Sequence, residues 1–220
     1  MNIAIDGPAG AGKSSIAKRV AKELAFVYVD TGAMYRTMAL YFLENMIPVD
    51  DEDEVSSHCD EIDIKLEYID NSQIVRLNGK DVSDDIRKEE VGNTASIVAK
   101  YTAVRNKLVA LQRRMAETTD LIMDGRDIGT VVLPNAEAKI YLTASSAVRA
   151  KRRFLELQEK GVSCDLDKIE EDIIARDKQD MNREISPLKQ AEDAILVDSS
   201  DMTIDEVVEA IKKIVKECRK

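Results

Sequence analysis

The sequence predicts an α/β fold: a doubly wound, parallel five-stranded sheet carrying a small antiparallel β insert and a charged helical segment. Three observations predict it. Five short apolar runs, rich in Ile and Val and each closed by a polar or glycine break, have the length and composition of strands buried on both faces. Helical patterns separate most of them, and β–α–β alternation winds into an open sheet with helices on both sides. One stretch, 62–82, instead alternates apolar and polar residues around two turn signals, the mark of short antiparallel strands.

Taken in order, strands are predicted at 2–6, 26–30, 121–124, 139–143 and 194–198. Four of them end in aspartate (Asp6, Asp30, Asp124, Asp198) and the other ends in Thr143. Helices are predicted at 14–24, 35–44, 147–158 and 204–215. The last of these places Ile204, Val207, Val208, Ile211 and Ile214 or Val215 on one face. A further helix carries the apolar stripe Val104, Leu108, Leu111 and Met115, with Arg105 at its edge, where an arginine ordinarily lays its stem along the surface. Turn signals at 70–72 and at Asn78 and Gly79 delimit the strands of the insert. The stretch 164–184 is helical in period, dense in both signs of charge and poor in large apolar residues, as a solvated surface helix would be.

With 220 residues and 44% hydrophobic content, the chain has ample core for one α/β domain. No run approaches the apolar length needed to span a bilayer. The first residues enter an apolar strand directly, without the basic start and cleavage site of a secretory leader. Cys59, Cys164 and Cys218 lie far apart with no CxxC spacing, which suits reduced thiols in a cytoplasmic protein rather than a disulfide framework. The net charge of −10 argues against a protein that coats nucleic acid, because such binding needs many phosphate-neutralising cations. Functional cations must therefore be concentrated locally.

Gly7-Pro8-Ala9-Gly10-Ala11-Gly12-Lys13-Ser14 satisfies GxxxxGK[ST] between a predicted strand and a predicted helix. Glycines let consecutive backbone N–H groups converge on phosphate oxygens at a helix N-terminus. Lys13 supplies a compact cation to the β- and γ-phosphates, and Ser14 or Ser15 offers a hydroxyl toward Mg²⁺. Such a loop serves kinases, switches and motors alike. A guanine-reading NKxD pattern is missing from the sequence, and a nucleotide-dependent regulator would need no second anion site. A kinase with a phosphate-ester acceptor needs one lined with arginine. Arginines indeed follow two predicted strands, in Asp30-Thr31-Gly32-Ala33-Met34-Tyr35-Arg36 and in Asp124-Gly125-Arg126-Asp127-Ile128-Gly129-Thr130. Open sheets bind ligands at such strand ends.

With GPAGAGKSS, DTGAMYR, VSDDIRKEEVGNTAS, DGRDIGTVVLPNA and RDKQDMNR in place, the sequence resembles the bacterial cytidylate kinase family over nearly its whole length. The resemblance implies a P-loop NTPase-type domain spanning 1–220, with a core at 1–60, 96–147 and 185–220, a monophosphate-binding insert at about 61–95 and a helical lid at about 148–184. It implies ATP as donor, CMP or dCMP as acceptor, Mg²⁺, a monomer, and no nucleic acid polymer or membrane as partner. The monophosphate would be held by Arg36, Arg126 and Arg183, the cytosine read by Thr31, Ser96, Arg105 and Asp127, and the ribose approached by Arg176 and Asp180. ATP would be bound by Gly7 to Ser15 with Arg153. Lys13, Arg126 and Arg183 would act on the transferring group, and Ser14, Ser15 and Asp124 are candidates for the metal. From the residues alone, Arg176, Asp180 and Arg183 fall at i, i+4 and i+7 of a helix and also suit surface ion pairs. Asp127 equally suits a cap of its loop, and Asp124 a cap of a turn. Cytosine gives Arg105 and Asp127 a joint purpose: donation to O2 and N3, and acceptance from the N4 amine. Uracil would turn O4 toward the carboxylate, a mismatch costing on the order of 2–5 kcal/mol.

Overall fold

The computed structural model describes residues 1–69 and 72–219. In chain order the elements are β1 (Asn2–Asp6), α1 (Lys13–Leu24), β2 (Val27–Asp30), α2 (Thr31–Glu44), α3 (Glu52–His58), β3 (Ile64–Ile69), β4 (Ser72–Leu77), β5 (Lys80–Asp81), α4 (Glu89–Val98), α5 (Thr102–Thr118), β6 (Leu121–Gly125), β7 (Ala138–Thr143), α6 (Ser146–Glu159), α7 (Leu166–Met181), β8 (Ile195–Asp198) and α8 (Ile204–Cys218). They cluster into two compact units, one of residues 1–29 and 119–220, the other of residues 30–118.

The first unit holds the five-stranded sheet, ordered β2-β6-β1-β7-β8. The pairings of β6 with β1, β1 with β7 and β7 with β8 are parallel. All five predicted strands are present, and the central ones are almost wholly apolar and buried, as strands covered on both faces are. On one face Ile3, Ile5, Ile122, Ile140 and Leu142 pack with Ile16 and Val20 of α1 and with Val207, Val208, Ile211 and Val215 of α8. The stripe predicted for α8 begins one turn too early: Ile204, the first helical residue, is 59% exposed. Thr203 and Glu206 form a reciprocal capping box there, so the chain is still arriving from solvent at that point.

In the second unit β3, β4 and β5 form the expected antiparallel sheet. Asp70 and Asn71 of the first turn signal lie outside the described residues, whereas Asn78 and Gly79 form a turn with both residues at positive φ. Helix α2 starts four residues before the predicted helix because the Asp30 side chain accepts from the Ala33 N–H and caps it directly off the strand. The buried residues of α5 are Val104, Arg105, Leu108, Val109 and Gln112, so the stripe is rotated toward Arg105 and away from Leu111 and Met115. Cys59, Cys164 and Cys218 are free thiols. No described helix is long and apolar enough to cross a membrane.

Truncating Ile211, which is fully buried under the sheet, to alanine should destabilise the protein by about 2–5 kcal/mol, while Ile204→Ala should stay within about 0.5 kcal/mol. Urea unfolding of the two variants checks this; equal effects would show that α8 does not carry its load through the buried stripe.

Candidate active site

The site on the first unit begins where β1 leaves the sheet. Gly7 has φ of 149°, and a Cβ there would lie 1.9 Å from the Leu142 carbonyl oxygen of β7, so only glycine lets the chain turn this close to its neighbour. The loop then climbs to Gly12, which adopts the left-handed conformation at the start of α1 and offers no side-chain cap. The first-turn N–H groups of α1 are thereby left for an anion. Lys13 folds back over this loop: its Nζ donates to the Pro8 carbonyl oxygen at 2.7 Å, and the side chain is buried. Burial and the neighbouring Arg126 push its ammonium down to about 7, against the pull of Asp124, Asp6 and Asp180. A cation held this way in a poorly solvated place favours any ligand that brings negative charge.

Ser14 and Ser15 separate clearly. The Ser14 hydroxyl donates to Asp124 Oδ2 at 2.9 Å, whereas Ser15 is exposed. Asp124 also accepts from the Tyr28 hydroxyl at 2.8 Å through Oδ1, so it faces α1 and β2. A serine hydroxyl beside a buried carboxylate forms a hard-oxygen pair, which suits Mg²⁺ carried largely by phosphate and water.

Just past β6, Arg126 donates through Nε to Asp180 Oδ2 at 2.8 Å. Arg183 Nη2 lies 3.2 Å from the other oxygen of the same carboxylate. The helix ends at Met181, so Arg183 does not continue one helical face with Arg176 and Asp180 as expected. It meets Asp180 from the segment beyond the Asn182 C-cap. Arg176 is exposed on α7. Asp127 is buried, and its side chain makes no cap bond to the turn that follows, although its carbonyl oxygen accepts from the N–H groups of Val131 and Val132. That turn, Ile128–Val132, is a single π-helical turn, a form common beside functional sites.

Of the cations of α6, Arg153 is exposed and pairs with Glu156 at 2.9 Å. Arg149 is the one that reaches the phosphate loop: it donates through Nη1 to the Ala9 carbonyl oxygen at 2.9 Å, through Nε to Ala144 O at 2.9 Å and through Nη2 to Asp177 Oδ2 at 2.6 Å. The second oxygen of Asp177 is buried with no hydrogen-bond partner.

On the second unit, Thr31 opens α2 and is buried, and Arg36 pairs with Asp30 at 3.2 Å. The Ser96 hydroxyl donates to Gly92 O at 3.2 Å. Arg105, expected at a surface edge, is 4% exposed; it donates to Ala99 O at 3.3 Å and lies 5.8 Å from the centre of the Tyr35 ring. His58 Nδ1 lies 2.9 Å from the Glu54 carbonyl oxygen of its own helix.

Sequence reasoning missed Asp6, Tyr28 and Asp177 as parts of this site. Asp6 carried a usable signal, being a strand-end aspartate directly before the glycine-rich loop. Its two oxygens accept from the N–H groups of Ile128 and Gly129 at 2.8 and 2.7 Å. Burial pushes its carboxyl up to about 6, with those two hydrogen bonds and Lys13 opposing and Asp127 adding to the rise. Tyr28 and Asp177 carried none, since their partners are distant in sequence.

The family described as cytidylate kinase matches residues 3–217. The cytidylate kinase of Lactobacillus johnsonii is 52% identical over 220 residues, spanning all of this chain and 96% of that protein. The cytidylate kinase of Bacillus cereus (strain ATCC 10987) is 49% identical over 215 residues, spanning 98% of this chain and 96% of that protein. Among solved structures, shikimate kinase from Bacteroides thetaiotaomicron aligns with a TM-score of 0.50 at 13% identity, covering 98% of both chains. An uncharacterized protein from Eubacterium ventriosum does so with 0.52 at 14% identity and the same coverage. At those identities the two structures speak to the fold alone. The sequence relatives go further, and the chain belongs to the cytidylate kinase family.

Proposed function

We propose that this protein transfers the γ-phosphoryl group of ATP to CMP or dCMP, yielding CDP or dCDP, as a monomeric enzyme of the cytoplasm. The observation that carries the reading, beside family membership, is the convergence on one unit of a buried lysine over a glycine loop with a guanidinium pair sharing one carboxylate. Arg126 and Asp180 both lie near enough to act on the charge of Lys13.

Phosphoryl transfer passes through a loose transition state, so position and charge stabilisation supply most of the rate. Gly7 to Ser15 cradle the triphosphate, and Lys13 neutralises charge on the transferring group. Arg126 and Arg183 neutralise the acceptor phosphate and the charge that develops between the two nucleotides. A phosphate oxygen of CMP is already nucleophilic, so no general base is needed. Ser14 and Asp124, with Ser15 beside them, would hold the Mg²⁺ that accompanies ATP, which would supply positive charge to the phosphates. On the first unit Asp127, Arg176 and Asp180 are read as further residues for CMP, and on the second unit so are Thr31, Arg36, Ser96 and Arg105. Arg153 joins ATP by leaving Glu156. Water competes as nucleophile, and the helical segment 148–184 excludes it when both nucleotides are bound.

Three measurements test this. ADP release should depend on CMP and be far slower with UMP; acceptor-independent release would support a nucleotide-dependent regulator, and equal use of UMP would remove the cytosine reading. Asp127→Asn should reduce the CMP-over-UMP preference on the order of tenfold or more, because a carboxylate that accepts from the N4 amine becomes a side chain that can also donate to O4.

Nucleotide binding should also take up protons. With its ammonium at about 7 in the free protein, Lys13 is mostly neutral at pH 8, and a bound polyphosphate raises its affinity for a proton. Uptake of nearly one proton per ATP is expected at pH 8 and much less from this group at pH 6, where it is already charged. Calorimetry in buffers of different ionisation heat reads the difference, and Lys13→Met should abolish it. Equal uptake in that variant at pH 8 would show that Lys13 is not the group responding to the nucleotide.

A further inference from the structure

Building on the reading above, in which Arg126 and Asp127 address the monophosphate, we propose that Asp6 is the positioning residue that aims this pair and thereby sets both acceptor affinity and base preference. Asp6 touches no reacting atom in that scheme. It acts through the backbone of the loop that follows β6.

Asp6 offers one carboxylate oxygen to each of two successive donors, Ile128 N–H at 2.8 Å and Gly129 N–H at 2.7 Å. The carbonyl oxygen of Asp127 is in turn taken by the N–H groups of Val131 and Val132. The peptide units on the far side of Asp127 are thus held from two directions, which fixes its backbone at φ −141° and ψ 27°. The seat has no slack. A Cβ on Gly129 would lie 3.2 Å from Lys139 Cδ and 3.4 Å from Asp6 Oδ2. Lys139 cannot readily retreat, because its Nζ donates to the Pro134 carbonyl oxygen at 2.5 Å and to both oxygens of Asp193.

An ionised carboxylate presents a separate oxygen to each of the two N–H donors, whereas an amide of the same size presents one oxygen and an NH₂ group that cannot accept. Burial opposes the charge on Asp6, so the group is kept against a desolvation penalty that an apolar residue would avoid. Retention of a buried charge at a loop carrying proposed substrate contacts is what a positioning role requires.

Asp6→Asn keeps the size but turns an NH₂ group toward one of the two N–H donors. Gly129→Ala crowds the same seat from within the loop, against Lys139 and the Asp6 carboxylate, without changing Asp6 itself, so it carries the test should the first variant fail to fold. Steady-state kinetics with CMP, UMP and ATP are compared with thermal unfolding of each protein. Both variants should raise KM for CMP about tenfold or more and lower the CMP-over-UMP preference by a similar factor, with KM for ATP within about threefold of the parent. Unchanged KM and preference for CMP would overturn the role of Asp6 while leaving the parent reading intact, and so would an equal rise in KM for ATP, the mark of a residue that merely supports the phosphate loop. A wild-type protein without CMP-dependent ADP release would overturn the parent reading, and this one with it.

Discussion

The close approach of Gly7 to the backbone of β7 is the constraint on which the rest of the site depends. A strand in the middle of a parallel sheet has neighbours on both sides, so its chain can leave only at the carboxyl end and must clear the adjacent strand immediately. A Cβ at this position would fall 1.9 Å from the Leu142 oxygen, well inside any permissible contact. Glycine removes the obstacle, the loop stays low over the sheet, and the residues that follow return to begin α1 directly above it. That return is what buries Lys13 and lets its amine reach back five residues to the Pro8 carbonyl oxygen. A buried ammonium whose direct hydrogen bond is to a neutral carbonyl is poorly compensated. The loop therefore holds an electrostatic strain that a polyphosphate bound there would relieve.

The same logic explains how an acidic chain supports anion binding. Its net charge is −10, yet four buried or half-buried cations of the first unit are matched to carboxylates: Arg149 to Asp177, Arg126 and Arg183 to Asp180, and Lys139 to Asp193. Pairs of this kind are weak evidence for stability, because desolvation of both partners offsets much of their attraction. Their value lies in keeping guanidinium groups folded inward and charged, with their direction set. Asp180 illustrates the point, since one carboxylate orients two arginines that come from different parts of the chain.

Much of this was legible in the sequence, and the parts that were not have a common cause. Periodicity located all five strands of the main sheet to within two residues, since burial on both faces leaves an apolar run that few other contexts produce. The glycine loop and the DGRDIG segment were legible because their chemistry is local. Arg105 was misplaced to a surface edge because helical periodicity counts apolar residues and cannot see a buried cation satisfied by the Ala99 carbonyl oxygen and lying near the Tyr35 ring. Arg183 was placed on a continuing helix because its spacing to Asp180 is helical, whereas the Asn182 cap ends the helix first. Arg149 and Asp177 stand 28 residues apart on two helices, a pairing that only three-dimensional packing can make.

Sheet register carries the division of labour one step further. Along β1 and β6, Ile5 stands opposite Asp124 and Asp6 opposite Gly125. Successive side chains in a strand point to opposite faces, so this one-residue stagger sends the two aspartates to different sides of the sheet. Asp124 shares the face of Ile5, which α1 covers, and there it meets Ser14 and Tyr28. Asp6 takes the other face, where the chain leaving β6 must pass, and there it meets the N–H groups of Ile128 and Gly129. One carboxylate thus addresses the helix that follows the phosphate loop, and the other addresses the loop that carries Arg126 and Asp127. A slip of one residue in the pairing of β1 with β6 would put both aspartates on one face and part Asp124 from Ser14 and Tyr28. The register of two short strands is therefore as much a part of the site as any of the side chains that line it.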